Sequence, residues 1–493
     1  MKNLNVIYII ADQMRWDVLS CNGAGFMKTP NFERLASRGV NFTSAYSGNP
    51  VCVPARGIMA TGCYSHNCMS KDAGNQNGGT IEREHIAHFL RENGYSTYGI
   101  GKAHYQPYKD NPGFDVFEVA EEGRIEFYKR NGVIADDSVK EDYLEYLRNK
   151  GLYGMQRAHG IGNNDMRAGR SPLKEEDYVD TWSTSRSLEL LEKHLKSNLS
   201  KPFYLQLGWV KPHAPYDPPA PWDQMYDPLG IPEPHGSAAD LKYMNPSAII
   251  YRRNYLVDQM SEAGIQYSRA HYFGLVSYLD GQLGRVLDFV EKNNLQNETF
   301  IVFTSDHGDN LGDHGIFFKT VLAEGSAHIP LLMSLPGRLN PQQCDTPVNQ
   351  EDIVPTIYEL CKIKSMDEYD GLSMVEMLDG KVAKNRPFAI SQYGSGEGLT
   401  LMIRQDNFKY CFARYESTEE LYDLSKDPYE MNNLANDSNM AEKLEAMRIC
   451  ANLWCIENGH EPILDQHGNM VYSKFIAGEH LVEPSKVMGI RPW

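Results

Sequence analysis

The chain lacks most of the features that would place it in a specialised class. Its nine cysteines, Cys21, Cys52, Cys63, Cys68, Cys344, Cys361, Cys411, Cys450 and Cys455, are odd in number and scattered. That excludes a disulfide framework, and no CxxC pair is present to build a zinc ribbon. Positive charge is short: 48 Lys and Arg face 65 Asp and Glu, a net charge of −17. A broad nucleic-acid interface needs a basic face, so none is expected, although a few basic residues in one pocket still hold a small anion. No apolar run is long enough to span a bilayer, so no membrane contact is expected. Internal repeats and low-complexity tracts are also missing.

The N-terminal Met1-Lys-Asn-Leu-Asn runs straight into Val6–Ile10, which ends at Ala11-Asp12. That run is too short for a signal peptide. The expectation is a soluble cytoplasmic protein as written, or a periplasmic or secreted one whose leader has been removed.

What is present is an ordinary globular composition over 493 residues, 41% apolar and 23% charged. Short β-rich runs alternate with amphipathic stretches. Strands are expected at Val6–Ile10, Thr97–Ile100, Phe203–Leu207, Phe300–Thr304 and Pro330–Ser334, and helices over 31–38, 85–93, 270–293 and 352–361. The alternation predicts an α/β fold, a large and mostly parallel sheet sandwiched by helices. Residues 114–180 are polar and weakly periodic, and residues 211–236 hold eight prolines and read as an irregular surface loop. We therefore place loop insertions at about 105–180 and 211–262. After about 385 the pattern changes to short antiparallel strands near 401–403, 410–413 and 420–423, with a final helix over 440–454. The division is a catalytic domain over 1–385 and a smaller α+β subdomain with a short antiparallel sheet over 386–493.

In open α/β sheets ligands bind beyond the carboxyl ends of the strands. Asp12 and Gln13 follow the first strand, Lys102 and His104 the second, Lys211 and His213 the third, Asp306 and His307 the fourth. Four strand ends thus deliver acids and bases to one rim. The sharpest signal is Cys52-Val-Pro-Ala-Arg56-Gly-Ile-Met-Ala-Thr61-Gly62. Pro54 suits a first helical turn, so Cys52 falls at a helix N-terminus that favours an anion, with Arg56 within a turn. Asp12, Gln13 and Asp306 offer the oxygen ligands that hard divalent cations prefer.

This string resembles the signature of type I, formylglycine-dependent sulfatases of the alkaline-phosphatase superfamily, Cys-x-Pro-Ser/Ala-Arg followed by Thr-Gly. Ala55 stands where many members have Ser. Gly101-Lys102-Ala-His104, Lys211-Pro-His213-x-Pro215 and Lys319 resemble further family positions, in family order along the chain. So does the late string Leu421-Tyr-Asp-Leu-x-x-Asp427-Pro-x-Glu430. The resemblance, from residue 5 to about 437, implies hydrolysis of sulfate monoesters. Cys52 would be oxidised to formylglycine by a maturation enzyme. Asp12, Gln13, Asp306 and His307 would hold one divalent cation, usually Ca2+, with Mg2+ or Mn2+ also open. Arg56 and Lys102 would steady the hydrated aldehyde, Lys319 and His213 would grip sulfate and protonate the leaving oxygen, and His104 would release sulfate. A sulfated carbohydrate or an aryl sulfate is the expected substrate, and the oligomeric state stays open. A phosphonate or phosphate ester hydrolase of the superfamily is the alternative enzyme, against which Lys102 and His104 argue. An inactive anion- or glycan-binding relative is the alternative of another class. Tyr105, Tyr108, Trp209, Tyr216 and Trp222 are candidates to stack on a substrate ring. His66, which closely follows Thr61-Gly62, is a further candidate to line the pocket.

Overall fold

The computed structural model describes residues 4–70, 79–130, 136, 138–197, 201–237, 252, 257–363, 368–381, 387–414 and 418–472. The boundary placed near 385 and the stretch 238–251 of the second insertion lie outside the described residues. The main sheet is built from β1 (Asn5–Asp12), β2 (Gly39–Tyr46), β3 (Ser96–Gly101), β4 (Val116–Val119), β5 (Phe203–Pro212), β6 (Thr299–Ser305), β7 (His328–Ser334), β8 (Gln342–Cys344) and β9 (Val348–Asn349). Its order is β4-β3-β5-β1-β6-β7-β2-β8, with β9 beside β2. Among the described strands of this sheet, only β7 runs against its neighbours β6 and β2. This is the mixed, mostly parallel sheet expected.

The central strand shows why. Every residue of β1 is buried, because helices cover both faces, and such strands read as unbroken apolar runs. Alternate side chains then go to opposite faces. Ile7 and Ile9 join Phe273, Leu279 and Leu283 of the helix Glu262–Lys292. Val6, Tyr8 and Ile10 join Ile353, Val354 and Ile357 of the helix Ile353–Cys361.

A second sheet of β10 (Ala389–Tyr393), β11 (Thr400–Gln405), β12 (Phe408–Ala413) and β13 (Thr418–Asp423) is antiparallel throughout. The helix Ala441–Glu457 packs on it through Leu444, Met447 and Trp454. Lys409 ties this unit to the main sheet. Its fully buried ammonium meets Glu430 at 2.6 Å and Glu324 at 3.0 Å.

The structure adds to or corrects the sequence reading at four places. The insertion over 114–180 carries elements of its own: edge strand β4, the helices Arg124–Arg130 and Asp142–Asn149, and the start of the helix Val179–Lys196. Polar faces and short lengths hid those elements from a periodicity search. The long helix begins at Glu262, two turns earlier than read, capped by Ser261 accepting from the Gly264 amide. The proline-rich loop is not all surface, since residues 211–219 are buried at the rim. Strand β2 was missed, because its Asn41, Thr43 and Ser44 interrupt the apolar run.

Candidate active site

Each strand end contributes as its sequence dictates. Gly101 leaves β3 with φ +96°, and a Cβ there would sit 2.0 Å from the Gly208 carbonyl oxygen. A residue with a side chain would force β3 and β5 apart, so glycine at this crossing aims Lys102 inward. Gln13 and His104 both adopt positive φ, 68° and 57°. Such backbone strain in non-glycine residues persists only where the surroundings over-determine it.

The missed strand β2 delivers Cys52. Ser47 follows it and donates to the Asp306 carbonyl at 2.6 Å, pinning the loop to the end of β6. The helix Cys52–Thr61 then starts on Cys52 and ends at Gly62 in the left-handed conformation. Lys319 Nζ lies 2.9 Å from Cys52 Sγ, and His307 Nε2 lies 3.2 Å from it. Asp12 Oδ1 is 3.9 Å away. Arg56 spans the two aspartates, with Nε 3.1 Å from Asp306 and Nη2 3.2 Å from Asp12. Its Nη1 donates to the Lys102 carbonyl at 2.7 Å. Lys102 Nζ reaches Asp12 at 2.6 Å. Gln13 Oε1 accepts from Lys319 at 2.9 Å. All these side chains are buried.

Burial and opposite charge compete here, and charge wins at the acids. The Asp12 carboxyl, which burial alone would push up, is held well below the usual carboxylate range by Lys102, with Arg56 and Lys319. Burial and the Asp12 charge push the Cys52 thiol up, but Lys319 and His307 more than offset them, leaving it below its ordinary value. Two imidazoles go the other way. Burial, with Lys319 and Lys102, holds His213 well below its ordinary value. Burial, with Arg124, Lys102 and Arg56, does the same to His104. Both are therefore neutral bases near pH 7. His213 Nδ1 donates to the Ala214 carbonyl at 2.7 Å, which leaves Nε2 bare. His213 Nε2 and His104 Nδ1 are buried polar atoms with no partner among the described residues, a cost sustained where a ligand completes them.

Asp12, Cys52, Asp306 and His307 each offer a ligand atom, and these atoms lie within 4.8 Å of one another. His307 Nδ1 donates to the Gly308 carbonyl at 2.8 Å, turning Nε2 inward. The donor set of carboxylates, one imidazole and the nearby Gln13 oxygen fits a divalent cation.

Sequence reasoning missed the strap that holds Lys102 and His104. Glu121 Oε1 accepts from the Ala103 amide at 3.2 Å and the His104 amide at 2.7 Å. Glu122 accepts from Lys102 Nζ at 3.0 Å and pairs with Arg124. Its other oxygen lies 3.7 Å from Arg157 and 3.9 Å from His213 Nδ1. The one available signal was two adjacent acids in a segment expected to overlie the site.

Lys211 is structural, its ammonium bound by Asp217 at 2.6 Å and by two carbonyls. Of the aromatic candidates, Trp209 and Tyr216 are fully buried and tied to Thr184 and Asp309. Tyr105 is bound to Gln206 and His85. Trp222 donates to Glu175 and packs on Tyr278. These four are packing anchors, while Tyr108 stacks beside His104 at 6.2 Å. His66 turns away to Gln392 and His460.

Comparison with known proteins identifies the family and the fold. The Sulfatase family model matches residues 4–363, and an N-sulphoglucosamine sulphohydrolase C-terminal model matches residues 312–452. An arylsulfatase of Clostridium perfringens is 29% identical over 456 residues, covering 90% of this chain and 92% of its own length. Two solved structures share the fold. A phosphonate monoester hydrolase of Agrobacterium radiobacter superposes with TM-score 0.78 at 22% identity, over 96% of this chain and 100% of the other. BT4656, solved in complex with its substrate D-glucosamine-2-N,6-O-disulfate, gives 0.71 at 20% identity, over 94% and 99%. A family match over most of the chain, on an α/β sheet of this topology, means that the chain belongs to the sulfatase family, hydrolases of sulfate esters.

Proposed function

We propose that the chain hydrolyses sulfate monoesters of a carbohydrate or an aryl alcohol, and that Cys52 is the residue converted to formylglycine. The carrying observation is the place of Cys52: at a helix N-terminus, 2.9 Å from Lys319 and 3.2 Å from His307, beside two aspartates. An anion entering here meets the ammonium groups of Lys319 and Lys102, the Arg56 guanidinium and the amides of the first helical turn, all fixed before it arrives.

Asp12, Gln13, Asp306 and His307 would hold a divalent cation, Ca2+ suiting the oxygen-rich set best. When bound, such a cation supplies Lewis acidity toward a sulfate oxygen and toward the oxygen group made from Cys52. The protein side chains divide the remaining work. Arg56 and Lys102 keep Asp12 charged and fixed. Lys319, whose Nζ lies 2.9 Å from Cys52 Sγ, grips sulfate. His213, bare at Nε2, gains a proton readily once a sulfate charge enters beside it. His104, neutral and with no partner at Nδ1 among the described residues, is the base that takes a proton to release sulfate.

The rival reading, a phosphonate ester hydrolase, has a shared fold in its favour. Two measurements decide. Mass spectrometry of the peptide carrying residue 52, from cells with and without a maturation enzyme, should show the aldehyde only with it; a thiol in fully active protein overturns the chemistry. Competition between an aryl sulfate and a phenyl phosphonate should favour the sulfate; faster phosphonate hydrolysis reverses the assignment.

A further inference from the structure

The helix Ala441–Glu457 is apolar on two opposite faces. One face is explained, since Leu444, Met447, Ala451, Trp454 and Cys455 enter the core against β11 and β12. The other faces solvent. Ile449, Leu453 and Ile456 are 47%, 51% and 52% exposed, and Ala446 continues their row. The spacing 446, 449, 453, 456 alternates three and four residues, the pattern of a helix seam that packs on another helix. Three large aliphatics in a row on one exposed helix face are not the scattered surface hydrophobics every protein shows.

The flanking charges indicate what covers the seam. If two copies of this helix pair antiparallel, Ala446 meets Ile456 of the second copy and Ile449 meets Leu453. On one flank Lys443 then lies opposite Glu457, twice by symmetry, and Cys450 lies opposite its own equivalent near the axis. In a parallel pair Lys443 finds no acid, and Glu457 falls against Asn452. Lys443 is held over the Phe408 ring at 4.8 Å, so its ammonium stays on this flank. We infer that the solvent face of Ala441–Glu457 is a two-fold homodimer interface in which this helix pairs antiparallel with that of a second copy. The surface is self-complementary in shape and in charge, as an isologous interface requires. A four-turn seam covers less than the roughly 800 Å² per partner of a standard interface, so the dimer is concentration-dependent.

The test uses the full-length protein. Sedimentation velocity across a concentration series should show reversible conversion to twice the monomer mass. Leu453→Glu should abolish the conversion while leaving activity per chain unchanged. Lys443→Glu should weaken it at least tenfold, and Lys443→Glu combined with Glu457→Lys should restore it. A short bismaleimide should link Cys450 to Cys450 of the second copy, mapped by mass spectrometry, and Cys450→Ser should prevent the link. A monomer at every concentration overturns the inference, as does a dimer indifferent to Leu453→Glu. A photocrosslinker at position 453 that captures any segment other than the helix 441–457 overturns it as well, because something else then occupies the face.

Discussion

Glu122→Gln tests most directly how the pocket is organised. The Glu122 carboxylate, buried on a residue with φ +55°, stands among Lys102, Arg124, Arg157 and His213. Burial would raise its pKa, but Lys102, with Arg124 and Arg157, holds it well below the usual range, so it is charged at neutral pH. The substitution keeps shape and removes that charge. A hydrogen bond to a charged group is worth about 1.5–3 kcal/mol, and Lys102 keeps its second partner Asp12 at 2.6 Å. The lower end of that range therefore applies. About 1.4 kcal/mol of lost positioning corresponds to a roughly tenfold fall in kcat. KM for an anionic sulfate should not rise, because one negative charge has left the pocket. The pH profile adds a second readout: without a facing anion the His213 imidazolium is less stable, so the limb that His213 governs moves to lower pH. Steady-state kinetics on a chromogenic aryl sulfate from pH 5 to 9 measures all three, with the melting temperature as a folding control. Unchanged kcat with an unchanged profile would refute the positioning role. So would a rise in KM at constant kcat, which would make Glu122 a substrate-binding group.

Other expectations follow from buried charge. Lys409→Met leaves Glu324 and Glu430 facing each other without their cation, and breaking such a buried cluster costs about 3–5 kcal/mol; calorimetry should show a clear fall in melting temperature, and a loss under about 1 kcal/mol would show that the cluster does not fasten the C-terminal sheet. Glu141, pushed up to about 8 by burial and by Glu121, is protonated in the folded chain at neutral pH. Its favourable contribution is complete below the unfolded pKa near 4.5 and disappears as pH rises toward 8. Glu141→Gln should remove that decline, flattening denaturant stability measured between pH 5 and 9, and an undiminished slope would assign it to other groups. Chelation should lower the melting temperature of wild type, Ca2+ should restore it, and Asp306→Asn should make the protein indifferent to both; a melting temperature blind to chelator would leave Asp12 and Asp306 without a cation to bind.

How legible the site was depended on whether chemistry or geometry carried it. The string from Cys52 to Gly62 contains its own explanation: a proline in the first turn, a cysteine at the helix N-terminus and an arginine one turn on. Asp12, Lys102, His213 and Asp306 were readable because parallel strands run through a buried sheet as apolar runs, and the polar residue that ends each run sits at the rim. Strand β2 was harder, since its polar residues break the run, although it delivers Cys52. Residues 114–180 were harder still. The strap of Glu121 and Glu122 has no periodicity, and its value lies in contacts made through space, with Lys102 and His104 on one side and Arg157 and His213 on the other.

The sequence by itself determined the alternation of strand and helix, the family and the residue types assembled around Cys52, because those depend on local pattern and on side-chain chemistry. Only the tertiary structure decided charge states and partners. Desolvation and neighbouring charge act through space, so two histidines of identical chemistry become neutral bases while an aspartate beside them stays charged. The same holds for aromatic residues that sequence offered as substrate platforms and packing turned into anchors, and for a helix whose second apolar face shows only once the first is buried.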